Sequence, residues 1–474
     1  MIVTTLSIIH QQVSSMAALY WFNNDLRIKD NSLLTKLAQE NESLHCCFII
    51  NPKWFNSLSL LHSAMGFNRW KFLKQSVKAL ATALHRRNIE LQVLYGKPEN
   101  VLPKLVNELA IDTLGCASQV GYQENQSLKA IQNKLPDLTI ETAWLNTLFT
   151  EEFIVNSNAV IGSFSKFRKI AEKHLINMKI EPSYSDWQLN EKSAQTITAT
   201  KNASLDNAIA VVEKLFPDQN HHNKAINEIT IKGGCDVALL HLADYFLSGA
   251  ADHYKQTRND LHGLRRSTLF SPWLALGCLS VKNVWQAVGE YEQRYQANES
   301  TYWIKFELLW REYFQWLALA KGRHLFAFKG SAETAPNTTF HQERFQRWST
   351  GNTGYPLVNA LMNQLNSTGF MSNRGRQIVA SCLVNELELD WRYGASYFEK
   401  QLIDYDVASN WGNWQYIAGV GADPKGGRWF NIEKQRQYSD PDGEFIAKWQ
   451  GNNQLTPIPP AHNANKKDGE CDVN

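Results

Sequence analysis

The chain has 474 residues, 43% apolar and 20% charged, with a formal net charge of +2, which suits a soluble globular protein of two ordinary domains. Charge this close to balance excludes a uniformly basic surface, so nucleic acid would have to be met by a local basic groove. Seven cysteines without a CxxC pair and no apolar run of about 18 residues exclude a disulfide framework, a zinc site and a membrane span, and fit a reducing, cytoplasmic compartment.

Residues 1–15 lack the basic and long apolar regions of a signal peptide. Met16 stands just before the first strand pattern, so translation is expected to start there or at Met1, with the leader dispensable. Strand patterns follow at Ala17–Phe22, Leu44–Ile50, Leu91–Tyr95, Ile111–Cys116 and Thr139–Trp144. Amphipathic helices separate them, and the clearest carries Phe67, Trp70, Leu73, Val77, Leu80 and Leu84 at spacings of three or four. This alternation predicts an α/β domain over 17–145, with a doubly wound parallel sheet. It contains neither GxGxxG nor GxxxxGK[ST], so it carries no dinucleotide or P-loop fingerprint.

Residues 146–230 read as an interdomain connector. A helix is expected at Lys166–Asn177, and Ser183–Asn207, rich in Ser, Thr, Asn and Lys, reads as a long surface connection. From 231 to 450 helical periodicity replaces strand signals, at 236–248, 281–292, 300–320, 355–366, 374–386 and 394–403. The expected architecture is therefore α/β plus all-α: a sheet domain, a long connector and a C-terminal helical domain. The Asn- and Pro-rich tail, 451–474, reads as disordered.

Four segments of the helical domain carry chemistry. In TYWIKFELLWREYFQWLALAKG, Glu307, Trp310, Arg311 and Phe314 share one helix face. The plain reading is a Glu307–Arg311 surface pair at helical spacing; the sharper one is a pocket wall for a planar ligand. In GFMSNRGRQIVASCLVNELELDW, Asn373, Arg376 and Gln377 share a face, and Arg374 stands beside them. Cations oppose the macrodipole at a helix start, so they need a phosphate or carboxylate partner. In LIDYDVASNWGNWQYIAGVG, Asp404, Asp406, Asn410, Trp411, Asn413 and Trp414 crowd together, and Gly412 and Gly419 suggest turns. These residues read either as a capped helix–loop junction or as a polar floor under a flat ligand. In YKQTRNDLHGLRRSTLFSPWLALGCLS, Ser267 and Thr268 precede Ser271-Pro272, as in a loop entering a helix and able to meet phosphate. Lys255, Arg258, Arg265 and Arg266 add positive charge there. Sixteen tryptophans read mostly as aromatic core, with a redox or stacking role for a few.

These motifs, with WFNNDLR near the start and LDWR at 389–392, occur in the order seen in photolyases and cryptochromes. The resemblance spans roughly 17–449, and GFMSNRGRQ and YD-x-x-SN-x-GNW look most like cryptochrome DASH. It implies FAD, bent into a U, in the helical domain. Tyr254, Ser267, Thr268, Leu269, Phe270 and Ser271 match positions around the phosphates and adenine. Glu307, Arg311, Asn373 and Arg376 match the pocket wall. Asp404 and Asp406 match the acids beside the isoalloxazine and ribityl chain, with Arg376 paired to Asp404, and Asn410 matches the residue facing flavin N5. An Asn amide can both donate and accept there.

The resemblance further implies light-driven repair of cyclobutane pyrimidine dimers flipped out of DNA, preferably single-stranded, by a deoxyribodipyrimidine photo-lyase. Glu307 would hydrogen-bond the dimer, Trp310 and Tyr416 would pack on it, and Asn373 would lie between dimer and flavin. Arg258, Arg311, Arg374 and Gln377 would contact DNA. Gln377 and Tyr416 stand where duplex-repairing relatives often carry Met and Trp, which would weaken flipping from duplex. Trp414 and Trp391 match the inner members of an electron-transfer chain, whereas Thr338 occupies the expected outer place. The antenna, usually 5,10-methenyltetrahydrofolate, would meet Gln119 where relatives often carry an acid.

Three other functions share parts of this pattern. A signalling cryptochrome would be marked by a long C-terminal extension. A repair enzyme for (6-4) lesions would need a histidine where Ser372, Asn373 and Gln377 stand. A DNA- or RNA-binding regulator would keep the fold without repair. A monomer is expected.

Overall fold

The computed structural model describes residues 16–56, 64–158, 162–176, 178, 180–182, 202–216, 231–261, 266–421 and 427–452. The leader, residues 183–201 of the expected connection, Arg265 and the tail beyond 452 lie outside the described residues.

Five parallel strands form one sheet in the order β3-β2-β1-β4-β5: β1 (Ala17–Phe22), β2 (Ser43–Ile50), β3 (Leu91–Tyr95), β4 (Thr113–Ala117) and β5 (Thr139–Ala143). Central β1 is buried along its whole length. Its alternate residues Ala18, Tyr20 and Phe22 join one core, while Ala17, Leu19 and Trp21 join another. Side chains alternate across a strand, so this split means that both faces of the sheet are covered. The first core continues without a break into the helical region.

Strand order reverses between β1 and β4, and the loops following these two strands meet the helical region there. Open α/β sheets form their ligand crevice at such a switch point. Leu26 N donates to Leu276 O at 3.0 Å. The buried guanidinium of Arg27 donates to Gly277 O at 2.9 Å, Leu145 O at 2.7 Å and Asn146 Oδ1 at 3.1 Å. Gly277, at φ +65°, lets the two backbones touch: a β-carbon there would lie 2.1 Å from Asn24 O.

In the helical region the 23-residue helix Glu299–Lys321 is the main beam, started by the Asn298 cap. Val407–Ile417 packs along it, with Gly412 against Phe314. Trp391–Gln401 packs on the other side of Val407–Ile417, with Gly394 against the Trp414 indole.

Several expectations are corrected. The helix expected over 374–386 is α-helical only from Asn373 to Ser381 and then widens into a π-turn over Cys382–Glu386. Residues from Ala203 belong to the helix Ala203–Glu213, because Asn202 caps it while donating to Leu91 O at 2.7 Å. Gly412 marks a close helix contact, not a turn; Val407–Ile417 runs through it. Gln342–Ser349, Ile432–Ser439 and Glu444–Lys448 are further helices that periodicity did not reveal, while Ser271–Ala275 is the helix that the Ser267–Phe270 loop was expected to enter.

Candidate functional site

The polar floor is built by three helices. Ser372 caps Asn373–Ser381 through Gly375 N at 3.1 Å, and the cap aims Arg376 back across the helix start. Arg376 Nε donates to Met371 O at 2.9 Å and its Nη2 to Asp404 Oδ2 at 2.8 Å. The Asp404 carboxylate is 2% exposed. Its other oxygen, Oδ1, is buried without a hydrogen-bond partner among the described residues. A buried carboxylate oxygen is costly to leave unmatched, so this atom marks a place for a ligand donor. Asn410 is buried, and its Nδ2 donates to Ala395 O at 3.0 Å. That bond leaves its carbonyl oxygen as the end available to a ligand. An acceptor here and a bare carboxylate oxygen in the same helical layer suit the N–H and O–H groups of a flavin and its ribityl chain.

Asp404 and Asp406 diverge. Asp406 caps Val407–Ile417 through Ser409 N at 2.7 Å and receives Gln315 Nε2 at 2.8 and 2.9 Å. It lines a cavity between the sheet and helical regions, together with Asn24, Gln119, Glu124, Arg311 and Gln315.

Glu307 and Arg311 share a helix but do not pair. Arg258 Nη1 donates to Glu307 Oε1 at 2.5 Å while its guanidinium lies 4.2 Å from the Trp303 ring centre. Arg311 reaches Asn146 O at 2.7 Å across the domain junction. Glu307 keeps 30% of its side chain accessible, yet it is set deep among protein atoms. Burial raises its pKa, with Arg258 opposing. Buried Tyr254 lies in the same field, its phenol pushed up by burial and then by Glu307. Beside them Trp310 stacks on Phe164 at 3.6 Å and meets Tyr416 edge-on at 6.0 Å. Arg428 Nη2 donates to the Tyr416 hydroxyl at 2.5 Å. A half-open carboxylate beside two aromatic rings can grip a flat, hydrogen-bonding base.

The loop from Ser267 to Ser271 is strained. Leu269 takes φ +52°, an unusual value for a residue with a side chain, and such strain gathers at ligand clamps. His241 Nε2 contacts Thr268 O at 2.9 Å, and Phe270 is buried beneath the loop against His241 and Tyr245. Ser267 and Thr268 stay partly accessible and Ser271 is exposed at the helix start.

Trp391 and Trp414 are buried at 0% and 2%. Trp391 donates to Phe328 O at 2.9 Å. Thr338 is half-buried, and its hydroxyl oxygen is buried with no partner among the described residues. Asn373 is exposed at its helix start, Gln377 half-buried one turn on, and the Arg374 guanidinium lies 5.5 Å from the Phe430 ring centre. Gln119 Nε2 donates to Ala117 O at 3.2 Å. The cavity carboxylate is Glu124, which sequence reading missed; its pKa is raised by burial, with Glu399 and Asp406 adding to the shift. Its signal was faint: one acid in the first turn of the helix after β4.

Comparison with known proteins agrees with this architecture. The DNA photolyase family model matches residues 18–184, and the FAD binding domain of DNA photolyase matches residues 303–469. A cryptochrome DASH of Idiomarina loihiensis is 46% identical, the alignment covering 93% of this chain and 94% of that one. A cryptochrome DASH of Vibrio parahaemolyticus is 43% identical, over 91% and 93%. The crystal structure of a Synechocystis cryptochrome superposes with TM-score 0.81 at 38% identity, covering 91% of this chain and 88% of the other. A class III photolyase from Agrobacterium tumefaciens gives TM-score 0.76 at 27% identity, over 94% and 88%.

Proposed function

Because this chain belongs to the photolyase/cryptochrome family, in its cryptochrome DASH branch, and has that family's FAD-binding domain, we propose that it is a light-driven lyase for cyclobutane pyrimidine dimers in single-stranded DNA. The observation that carries the reading is the Arg376–Asp404 pair, whose second carboxylate oxygen lies buried and unmatched.

FAD, bound and reduced, supplies the light-driven electron that opens the dimer and takes it back afterwards. The chain's residues hold and tune. Asp404 presents Oδ1 to a flavin donor while the hydrogen bond from Arg376 holds the carboxylate in place. Asn410, its amide nitrogen held by Ala395, presents an acceptor. Tyr254 and the strained Ser267–Ser271 loop close around the phosphate and adenine end. These groups are pre-oriented, so little reorganisation is needed as charge moves.

Glu307, held by Arg258, meets the carbonyl and N–H edge of a flipped dimer. Burial raises its pKa while Arg258 opposes the shift, and the carboxyl is set to hydrogen-bond the polar edge of the dimer. Trp310 and Tyr416 pack on the lesion, and Asn373 lies between it and the flavin. Arg374 and Gln377 meet the strand. The helical flavin domain is taken as 231–450, joined by 146–230 to the sheet domain 17–145. The interdomain cavity is the site for an antenna, 5,10-methenyltetrahydrofolate, with Gln119 and Glu124 as its polar contacts.

The test is illumination of reduced, FAD-loaded protein with a dimer-containing oligothymidylate. Recovery of thymine absorbance in light and none in the dark is expected. No recovery in light would overturn the proposal.

A further inference from the structure

Trp391 is the inner member of a chain whose expected outer place holds Thr338, so another group has to refill it. Its ring meets Trp411 edge-on at 5.8 Å. The Trp411 indole N–H lies 3.3 Å from Glu399 Oε2 and 3.3 Å from the Tyr405 hydroxyl. Tyr405 is itself hydrogen-bonded to Glu399. Arg69 stands over the Tyr405 ring at 4.3 Å and donates to Glu399 O at 2.5 Å. Glu124 contributes to the same field. Three aromatic side chains and one carboxylate thus run outward from Trp391 to a half-buried phenol.

A second aromatic run leaves Trp414. Trp348 meets it at 6.3 Å, and Tyr397 lies 5.7 Å beyond Trp348. The two end tyrosines differ in chemistry. The Tyr397 hydroxyl lies 2.9 Å from Ser349 O and 2.6 Å from Asn366 Oδ1, two carbonyl acceptors for its one proton. Amide oxygens are too weakly basic to take its proton. Tyr405 faces a carboxylate. A phenol set among protein atoms gives up an electron cheaply only if its proton leaves too, because charge left on it is poorly solvated. Burial alone already pushes the Tyr405 phenol well above its usual range, with Glu399 adding to the shift, so loss of the proton before the electron is disfavoured and the two should leave together.

We propose that Tyr405 is the terminal electron donor to the buried tryptophans, with Glu399 accepting its phenolic proton. The inference rests on the reading of the chain as a light-excited flavoprotein. A bound, excited and oxidised flavin would be the oxidant, taking one electron by way of Trp414 and leaving Trp391 to be refilled. Trp411 refills Trp391. Tyr405 refills Trp411, losing one electron from its ring and its O–H proton to a Glu399 oxygen. The products are a neutral tyrosyl radical, a protonated Glu399 and one electron on the flavin. An external thiolate then gives one electron to Tyr405 and becomes a thiyl radical, while protonated Glu399 returns the proton to the phenolate oxygen.

The experiment is illumination of FAD-loaded full-length protein without reductant, followed by freezing and electron paramagnetic resonance. A neutral tyrosyl signal is expected, with hyperfine structure that collapses on ring-deuterated tyrosine. Tyr405→Phe and Glu399→Gln should lose it and Tyr397→Phe should keep it. Tyr405→Phe should retain its flavin and, once chemically reduced, repair as the parent does. A signal that survives Tyr405→Phe, one lost only in Tyr397→Phe, or tryptophan radicals alone in the parent would each overturn the assignment. A chain that takes up no flavin would overturn the family reading as well, and its absorption spectrum reports that first.

Discussion

Glu307 faces a choice that its neighbours decide. Burial disfavours its charge and Arg258 favours it, with burial the larger effect. Replacing it with Ala would remove the hydrogen bond proposed to a flipped dimer and leave the Arg376–Asp404 floor untouched. A hydrogen bond involving a charged group is worth about 1.5–3 kcal/mol, so repair should fall roughly ten- to a hundredfold while flavin content stays at the parent level; photolysis yields on a dimer oligonucleotide measure this. Asp404→Ala acts differently. It strands Arg376 beside a bare pocket, and breaking a buried pair costs about 3–5 kcal/mol. The purified variant should be colourless or nearly so, as read by flavin absorbance; full retention would remove Asp404 from the cofactor site.

The helices show both what patterning revealed and where it stopped. β1 keeps its expected limits because the apolar run Ala17–Phe22 stops at Asn23, and β3 because Leu91, Val93 and Leu94 lie between Glu90 and the bend at Gly96. Val407–Ile417 did not read as a helix, because Asn410, Gly412 and Asn413 are poor helix formers. Its stability comes from packing: a β-carbon at Gly412 would lie 2.4 Å from Phe314 Cδ1. The Arg376–Asp404 pairing could be expected from family resemblance alone, since the two lie 28 positions apart. No sequence spacing linked Glu399 and Tyr405 to Trp411; the fold brings both to its indole N–H. Gly394→Ala would set a methyl 2.2 Å from Trp414 Cη2, an overpacking worth about 1–3 kcal/mol; a thermal melt should shift down.

Glu312, on the same helix as Glu307, is fully buried and accepts backbone N–H bonds from Leu148 and Phe149 in the junction after β5. Burial pushes it up to about 7 from 4.5. Between those values the folded chain holds a proton that the unfolded chain releases. Stability therefore falls as pH rises from about 4.5 to about 7 and levels off above, by at most about 3 kcal/mol. Urea midpoints across that range should show the slope in the parent, and Glu312→Gln should flatten it.

For the whole molecule, the switch point of the sheet, the Arg27 clasp and the Gly277 contact fix the two regions against each other. That places the interdomain cavity beside Asp406 and Gln315 and leaves the Glu307 cleft on the helical region. Extracting a dimer from duplex costs a few kcal/mol of unpairing and unstacking, whereas a single strand has no partner to lose. Tyr416 offers a smaller ring than tryptophan for filling the hole left behind. The measurement that bears most directly on this account is the photolysis yield of chemically reduced protein on one dimer presented first in a single strand and then in its duplex. The single strand should be repaired clearly faster. Equal or faster repair of the duplex, or no repair of either, would contradict it.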